Sequence, residues 1–252
     1  MFLDNKGKLL IIIPARSGST RIKNKNMKKL GDLPLLGHKI KSSLKVGLGK
    51  VIVSTDSKKI TTFAKRLGAE VPFLRSKKYS TPRATMMSCI LNVLDYFKRN
   101  NVKLPDYVAL LPPTNPFLKT ISIIKAYKKL LLKKSFNSIC SLTESNDHPF
   151  LFVKLKKKLV FDIIKYEGHK LSEFERTQDW PKAFIYSSAL RITKLSYYLK
   201  HIANNSPLIN VETFDKKSCI EYKISRREVF DINTEKDFTI AKAINNNPYL
   251  LD

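Results

Sequence analysis

The run Leu9-Leu10-Ile11-Ile12-Ile13-Pro14, continued by Ala15-Arg16-Ser17-Gly18-Ser19-Thr20-Arg21 and then by Lys25-Asn26, decides the fold. Its first six residues carry no polar side chain and show no alternation, so both faces of the segment must be buried. That pattern fits a central strand of a parallel sheet covered by helices on each side. The chain must then leave the strand in a loop. Gly18 and its small neighbours allow close backbone approach to a bound group, and successive N–H groups in such a loop make an anion-binding concavity. Arg16, Arg21 and Lys25 add fixed positive charge. A triphosphate requires this combination, because its charge must be neutralised before a phosphorus atom can be attacked. The loop lacks the second glycine and the Gly-Lys-Ser/Thr ending of a P-loop, and it is not a GxGxxG turn. On spacing alone, the competing interpretation is an ordinary strand-to-helix turn bearing solvated bases.

Outward from this run, strand-like and helix-like segments alternate. Residues 34–46 read as a helix, 50–54 as a strand, and 57–67 as a helix stopped by Gly68. Residues 70–74 read as a short strand. Residues 85–98 read as a helix with Met86, Ile90, Val93, Leu94 and Phe97 on one buried stripe. A strand at 107–111, a helix at 120–132 and a strand at 138–142 follow. This order predicts an α/β fold, a mostly parallel Rossmann-like sheet with helices on both faces. Ligands in such sheets bind beyond the carboxyl ends of the strands, here after Ile13, Ser54, Leu111 and Leu142. Past residue 143 the rhythm breaks. Residues 150–155 and 159–163 flank Lys156–Lys158 as a basic-tipped hairpin, and 165–182 are polar and irregular. The chain is expected to be a single domain, 1–252, with an inserted dimerisation or lid segment at about 143–183. The pattern resumes at 183–192. Near the end, 229–233 reads as a strand and 234–244 as a helix, with Thr234 as its N-cap and Asp237 three residues on.

Composition narrows the class. Among 252 residues, Lys+Arg is 47 and Asp+Glu is 21, a net charge of +26, yet 43% of the chain is hydrophobic. A disordered basic tail would be far poorer in apolar residues. Of the bases, 37 are lysines and only 10 arginines. A nucleic-acid surface draws heavily on arginine for bidentate and stacking contacts, so this balance argues for compositional bias over a polyanion partner. No apolar run approaches the length of a membrane span, and no apolar region follows the first eight residues as a signal peptide would require. Cys89, Cys140 and Cys219 are few, odd in number and widely spaced. They fit small core residues in a reducing, cytoplasmic compartment, not a disulfide scaffold or a structural zinc site. The four histidines show no ligand spacing and are expected to be non-catalytic.

With its loop in view, the run IIIPARSGSTRI followed by Lys25-Asn26 resembles the signature of the N-acylneuraminate cytidylyltransferases, the CMP-sialic acid synthetases. The similarity continues in the family's order. Val53-Ser54-Thr55-Asp56 matches its VSTD, and Gly68-Ala69-Glu70-Val71-Pro72 with Arg75 matches its GAEVP segment. Leu111-Pro112-Pro113-Thr114-Asn115-Pro116 resembles LQPTSP, and Arg176-Thr177-Gln178 with Pro181 resembles the R-x-Q…P segment. Phe230-Asp231-Ile232-Asn233-Thr234 with Asp237-Phe238 matches IDIDT…DF. The collinear set spans Leu9 to Phe238.

The resemblance implies transfer of CMP from CTP to a free α-keto acid sugar of the nonulosonic class, with release of pyrophosphate. It implies that Arg16, Ser19, Arg21 and Lys25 hold the triphosphate, with Arg16, Lys25 and Asp231 as the catalytic groups. Asn26, Arg75 and Thr85 would select the cytidine, and Thr114, Arg176 and Gln178 would line the sugar site. Asp231 and Asn233 would hold Mg²⁺, a hard cation suited to oxygen ligands from one or two side chains plus phosphates. Residues at i and i+2 of a strand end face the same side, so both could point at one ion. The family is expected to be homodimeric. The departures are Asn233 for the second metal carboxylate, Pro112 for the glutamine of LQPTSP, Leu118 for the arginine that ends it, Pro82 for an aspartate, and Ser188 for a glycine. They leave the CTP loop intact and bear mainly on which sugar is used. Two rivals remain: a CMP-KDO-type synthetase, and a basic nucleic-acid-binding protein on a nucleotide-binding fold. A metal-dependent glycosyltransferase, suggested by Asp231-Ile232-Asn233, is a lesser one.

Overall fold

The computed structural model describes residues 8–19, 21–81, 84–156, 160–163, 165–203, 216–247 and 249–251. Thr20, Pro82 and the hairpin tip at 157–159 lie outside the described residues. The decisive run is strand β1 (Leu9–Pro14). It is followed by α1 (Leu35–Leu44), β2 (Gly49–Ser54), α2 (Lys58–Arg66), α3 (Met86–Arg99), β3 (Tyr107–Leu110), α4 (Thr120–Leu132) and β4 (Ser138–Glu144). Then come a hairpin of β5 (Val153–Lys156) and β6 (Val160–Ile163), β7 (Phe184–Lys194), α5 (Leu195–Ala203), β8 (Cys219–Lys223), α6 (Arg226–Val229) and α7 (Glu235–Asn246).

The apolar run of β1 is explained by two cores. Leu9, Ile11 and Ile13 face Leu36 and Ile40 of α1, Ile60 and Ala64 of α2, and Ile123, Tyr127 and Leu130 of α4. Leu10 and Ile12 face Ile90, Val93, Leu94 and Phe97 of α3 and Tyr198 of α5. A strand buried on both faces has no use for polar positions. A third cluster, under the loop that follows β1, joins Ile22, Leu30 and Leu35 to Ile232, Phe238 and Ala241.

The six-stranded sheet has the order β8-β4-β7-β3-β1-β2. β1 pairs in parallel with β2, from Leu9 opposite Gly49 to Pro14 opposite Ser54, and with β3. β4 and β8 are also a parallel pair. β7 alone runs the other way, antiparallel to both β3 and β4. Its ladder with β4 ends at Glu144 opposite Phe184, and a bulge interrupts it between Cys140 and Ser141. At Gly49 the backbones approach so closely that a Cβ would sit 1.7 Å from the carbonyl oxygen of Leu9. The mostly parallel α/β architecture is thus as the alternation predicts.

Caps follow the sequence signals. The Ser57 hydroxyl accepts from Ile60 N–H at 3.3 Å and caps α2, and Gly68 ends it with φ +92°. Thr234 and Asp237 form a reciprocal capping box on α7. Burial works against charge on Asp237, but the N–H groups of Asn233 and Thr234, the Thr234 hydroxyl and nearby Arg21 outweigh it and hold the carboxyl below its usual range.

Several expectations need correction. Residues 70–74 make a single bridge, Glu70 with Ile52, because Pro72 cannot donate to a ladder. The segment 229–233 is not a strand. Ser225 caps the short helix α6, its hydroxyl accepting from Glu228 N–H, and the chain then runs extended without ladder partners. Ile232 is buried in the third cluster with Phe230 packed against it, instead of in the sheet. The resumption at 183–192 is one antiparallel strand of eleven residues. The hairpin pairs 153–156 with 160–163, and Pro149–Leu151 is a tight 3-10 turn. Helix α5 and edge strand β8 lack a clear sequence signal. Within the insert, His148 stacks on Phe150, Tyr166 and Trp180 with ring centroids 4.5–5.1 Å apart, so Trp180 is a packing residue.

Candidate active site

The loop after β1, the loop after β3 and the start of α3 enclose a cavity of about 310 Å³ beyond the carboxyl ends of the central strands. This is the position that the strand order designates for a ligand, and the volume lies at the small end of ligand pockets. Arg16, Ser19, Arg21, Lys25 and Asn26 line it from the first loop. Arg75 and Thr85 line it from the second wall, and Thr114 lies between Pro113 and the buried Asn115 on the third. Every residue expected to hold the nucleotide therefore borders one cleft.

The loop after β1 is held in place by side-chain bonds. Asp56, just past β2, accepts from the Ser17 backbone N–H at 2.7 Å and from the Ser17 hydroxyl at 3.0 Å. Asn26 donates to the Arg16 carbonyl at 3.0 Å, so one N–H of its amide shapes the loop and its oxygen and second N–H remain for a base. Arg16 itself reaches the Thr81 carbonyl at 3.2 Å. Asn24 adopts the left-handed conformation, φ 55°, and starts the 3-10 turn Lys25–Met27 that aims Lys25 inward. Arg75 is 6% exposed and is held by its Nε donating to the Ser54 hydroxyl at 3.0 Å. The Thr85 side chain makes no capping bond at the start of α3.

The 229–234 segment adds no residue to the cavity lining but is bonded to two bases that line it. Lys25 Nζ donates to the Ile232 carbonyl at 2.8 Å, and Arg21 donates to Asn233 Oδ1 at 2.9 Å. Asn233 Nδ2 in turn donates to Asp231 Oδ2 at 2.7 Å. Asp231 and Asn233 are thus adjacent, although not by the i, i+2 strand geometry expected of them. Burial lowers the Lys25 ammonium pKa, and Arg21 and Arg16 push the same way, against Asp231 and Asp237. The cleft therefore concentrates Arg16, Arg21, Lys25 and Arg75 with no carboxylate among its described lining residues, a field that attracts a polyanion.

Asp231 Oδ1 is buried and has no hydrogen-bond partner. Asp231 does not itself line the cavity. An orphaned carboxylate oxygen beside Lys25, on a residue joined through Asn233 to Arg21, fits a ligand for a hard cation. Among the described residues no cluster of three or more His, Cys, Asp or Glu could hold a metal without help from substrate oxygens. Both ends of the Asn233 amide are engaged, so in this conformation it orients Asp231.

Arg176 and Gln178 are not brought into this cleft. They lie in or beside a tight turn of the insert, and Arg176 pairs with Asp179 at 3.1 Å with its side chain 67% exposed. Cys89 and Ser188 line the cavity but were not singled out as site residues by sequence. Burial raises the Cys89 thiol, so it is inert packing. Asp56 was legible only as part of a motif, without a role. All three cysteines are free, two of them buried. His38 bonds the Leu30 carbonyl, His148 the Pro181 carbonyl, and His169 pairs with Glu173 in the insert, none at the cleft.

The sequence pattern that defines the family described as cytidylyltransferase matches residues 10–231. An N-acylneuraminate cytidylyltransferase from Escherichia coli is 28% identical over 94% of this chain and 52% of its own length. A CMP-N,N'-diacetyllegionaminic acid synthase from Legionella pneumophila is 38% identical over 46% of this chain and 50% of its own. The chain thus spans about half the length of these two relatives. A pseudaminic acid cytidylyltransferase from Campylobacter jejuni is 26% identical over 94% of this chain and 96% of its own. In fold, the chain is similar to a CMP:2-keto-3-deoxy-manno-octonic acid synthetase solved with CTP, with a TM-score of 0.66 at 14% identity over 96% of this chain and 100% of that one. A 4-diphosphocytidyl-2C-methyl-D-erythritol synthase from Anaerococcus prevotii follows, with a TM-score of 0.62 at 13% identity over 96% and 99%.

Proposed function

We propose that this chain, which belongs to the cytidylyltransferase family, activates a nonulosonic acid with CTP to give the CMP-sugar and pyrophosphate. The observation that carries the proposal is the convergence of Arg16, Arg21, Lys25 and Arg75 around one cleft, with Asp231 linked to Arg21 through Asn233. The named relatives act on sialic, legionaminic and pseudaminic acids, which supports the same substrate class here.

In this reading Arg16, Ser19, Arg21 and Lys25 bind the triphosphate and take up charge that moves onto the β- and γ-phosphates. Asn26, Arg75 and Thr85 hold the cytidine, and Thr114 meets the sugar. The anomeric oxygen attacks the α-phosphorus, the bond to the β-phosphate oxygen breaks, and pyrophosphate leaves. The hydroxyl proton passes to Asp231 or to solvent that it orders. Most of the acceleration comes from positioning and charge stabilisation. Mg²⁺ held by Asp231 and phosphate oxygens would supply further neutralisation of the leaving group. Asn233 Oδ1, which accepts from Arg21 here, would be the second side-chain oxygen for the ion.

The same proposal takes the protein as a cytoplasmic homodimer. Its three free cysteines suit a reducing compartment, and no helix among the described residues is long and apolar enough to cross a membrane. Exposed Leu151 and Phe152 of the insert and Ile185 of the adjoining β7 support a contact face there, from which Arg176 and Gln178 would serve a neighbouring cleft. Pyrophosphate release is the test. It should require CTP, Mg²⁺ and a nonulosonic acid together. Turnover of an eight-carbon acid alone would favour the KDO-type reaction. Silence across sialic, legionaminic and pseudaminic acids, with tight salt-sensitive RNA binding instead, would refute the proposal.

A further inference from the structure

Lys39, on α1, is fully buried, and it lines no wall of the cleft. Its Nζ donates to the Asn115 carbonyl at 2.8 Å. Asn115 is itself fully buried, and its side-chain amide donates to the carbonyls of Val229 and Phe230, each at 3.1 Å. Two further bonds stitch the same pair of segments. Ile232 N–H donates to the Thr114 carbonyl at 2.9 Å, and Lys119 N–H donates to Glu228 Oε1 at 3.0 Å. Asp231 sits between the residues so held, and the Ile232 carbonyl receives Lys25. A ladder of buried and half-buried polar contacts therefore runs from α1, through the loop after β3, to the segment that Lys25 bonds.

Keeping an ammonium inside a core is costly unless it is paired and bonded, and a methionine would fill the space without that penalty. Glu228, 5% exposed, supplies the opposing charge. What an apolar side chain cannot supply is a fixed direction for the Asn115 carbonyl. We infer that Lys39 and Asn115 are positioning residues for nucleotidyl transfer. They fix the backbone at Val229 and Phe230, and with it the Asp231 carboxylate, against the phosphate loop. The inference rests on the role proposed for Asp231.

The test compares Asn115→Ala, Lys39→Met and Asp231→Asn, singly and combined, by steady-state pyrophosphate release alongside circular dichroism and Tm. Misplacing a reacting group by about 1 Å costs about 100-fold in rate. Asn115→Ala should lower kcat about that far, and Lys39→Met about tenfold, with a smaller change in KM for CTP because neither residue bonds the phosphate loop directly. Asn115→Ser, which keeps one donor, should recover part of the loss. In the Asp231→Asn background neither change should lower kcat further. Folded variants with wild-type kcat and only a lower Tm would overturn the inference, as would strictly multiplicative effects with Asp231→Asn. Wild-type kcat in Asp231→Asn alone would overturn the role given to Asp231 itself. Should Asn115→Ala fail to fold, Lys39→Met and Asn115→Ser carry the same readouts.

Discussion

Replacing Lys39 with methionine should change how stability depends on pH. Full burial pushes the Lys39 amine down from 10.5 to about 7, with Glu228 opposing the shift. In the unfolded chain the same amine keeps its ordinary value, so between pH 7 and pH 10 the unfolded state binds more protons than the folded state. Folded stability contributed by this site therefore rises with pH across that window. At pH 7 the buried amine is about half protonated, and each further pH unit returns up to about 1.4 kcal/mol. From pH 7 to pH 9 the wild type should thus gain about 2 kcal/mol over Lys39→Met, which has nothing to titrate there. Urea unfolding of both proteins at constant ionic strength measures the difference, since the other titrating groups are common to both. Parallel curves from pH 7 to pH 9 would refute the argument, because a Lys39 ammonium with its usual affinity for a proton cannot be in a dry site.

Other outcomes follow from single contacts. Asp56→Ala removes both bonds that clamp Ser17, and should raise KM for CTP about tenfold, the effect of roughly 1.4 kcal/mol, with kcat little changed. Unaltered KM in initial-rate measurements would show that the loop holds its shape unaided. Gly49→Ala would drive a methyl into the Leu9 carbonyl, so its urea midpoint should fall by the equivalent of about 3 kcal/mol; an unchanged midpoint would mean the two strands can separate freely. Because the cleft cations are partly open to solvent, raising ionic strength from about 0.05 to about 0.3 M should increase KM for CTP several-fold. A flat salt response would deny the +26 charge any part in capture.

What could be read from sequence was whatever depends on near neighbours. An unbroken LLIIIP run has to be a strand covered on both sides, and Ser57, Gly68, Thr234 and Asp237 punctuate their helices through contacts within three or four residues. The loop bases were legible because their spacing after a strand end suffices to aim them at one place. Long-range geometry was not. Nothing in Cys219-Ile220-Glu221-Tyr222-Lys223 marks an edge strand until its partner β4 is known. The direction of β7 depends on where the insert returns. Val229 to Asn233 alternates like a strand, yet Phe230 and Ile232 face the side cluster under the first loop. Arg176 could be named by motif but not placed, since its surroundings lie on a segment that folds upon its own aromatic cluster. The Asp56–Ser17 and Lys39–Asn115 contacts join residues 39 and 76 positions apart, beyond any local pattern.

The lone reversed strand has an architectural consequence. Because β7 runs against β4, the insert leaves the sheet at Glu144 and returns at Phe184, two residues that face each other across the ladder. The excursion is thus closed at its base, like a long bow on a tied knot. Lengthening such a loop tenfold adds only about 2 kcal/mol of closure entropy, and shortening it returns the same small amount. The sheet therefore senses little of what the insert contains, and the cations of the first loop sit on a frame that does not depend on it. A segment anchored in this way can be exchanged wholesale, altering what approaches the mouth of the cleft while the floor beneath stays as it is.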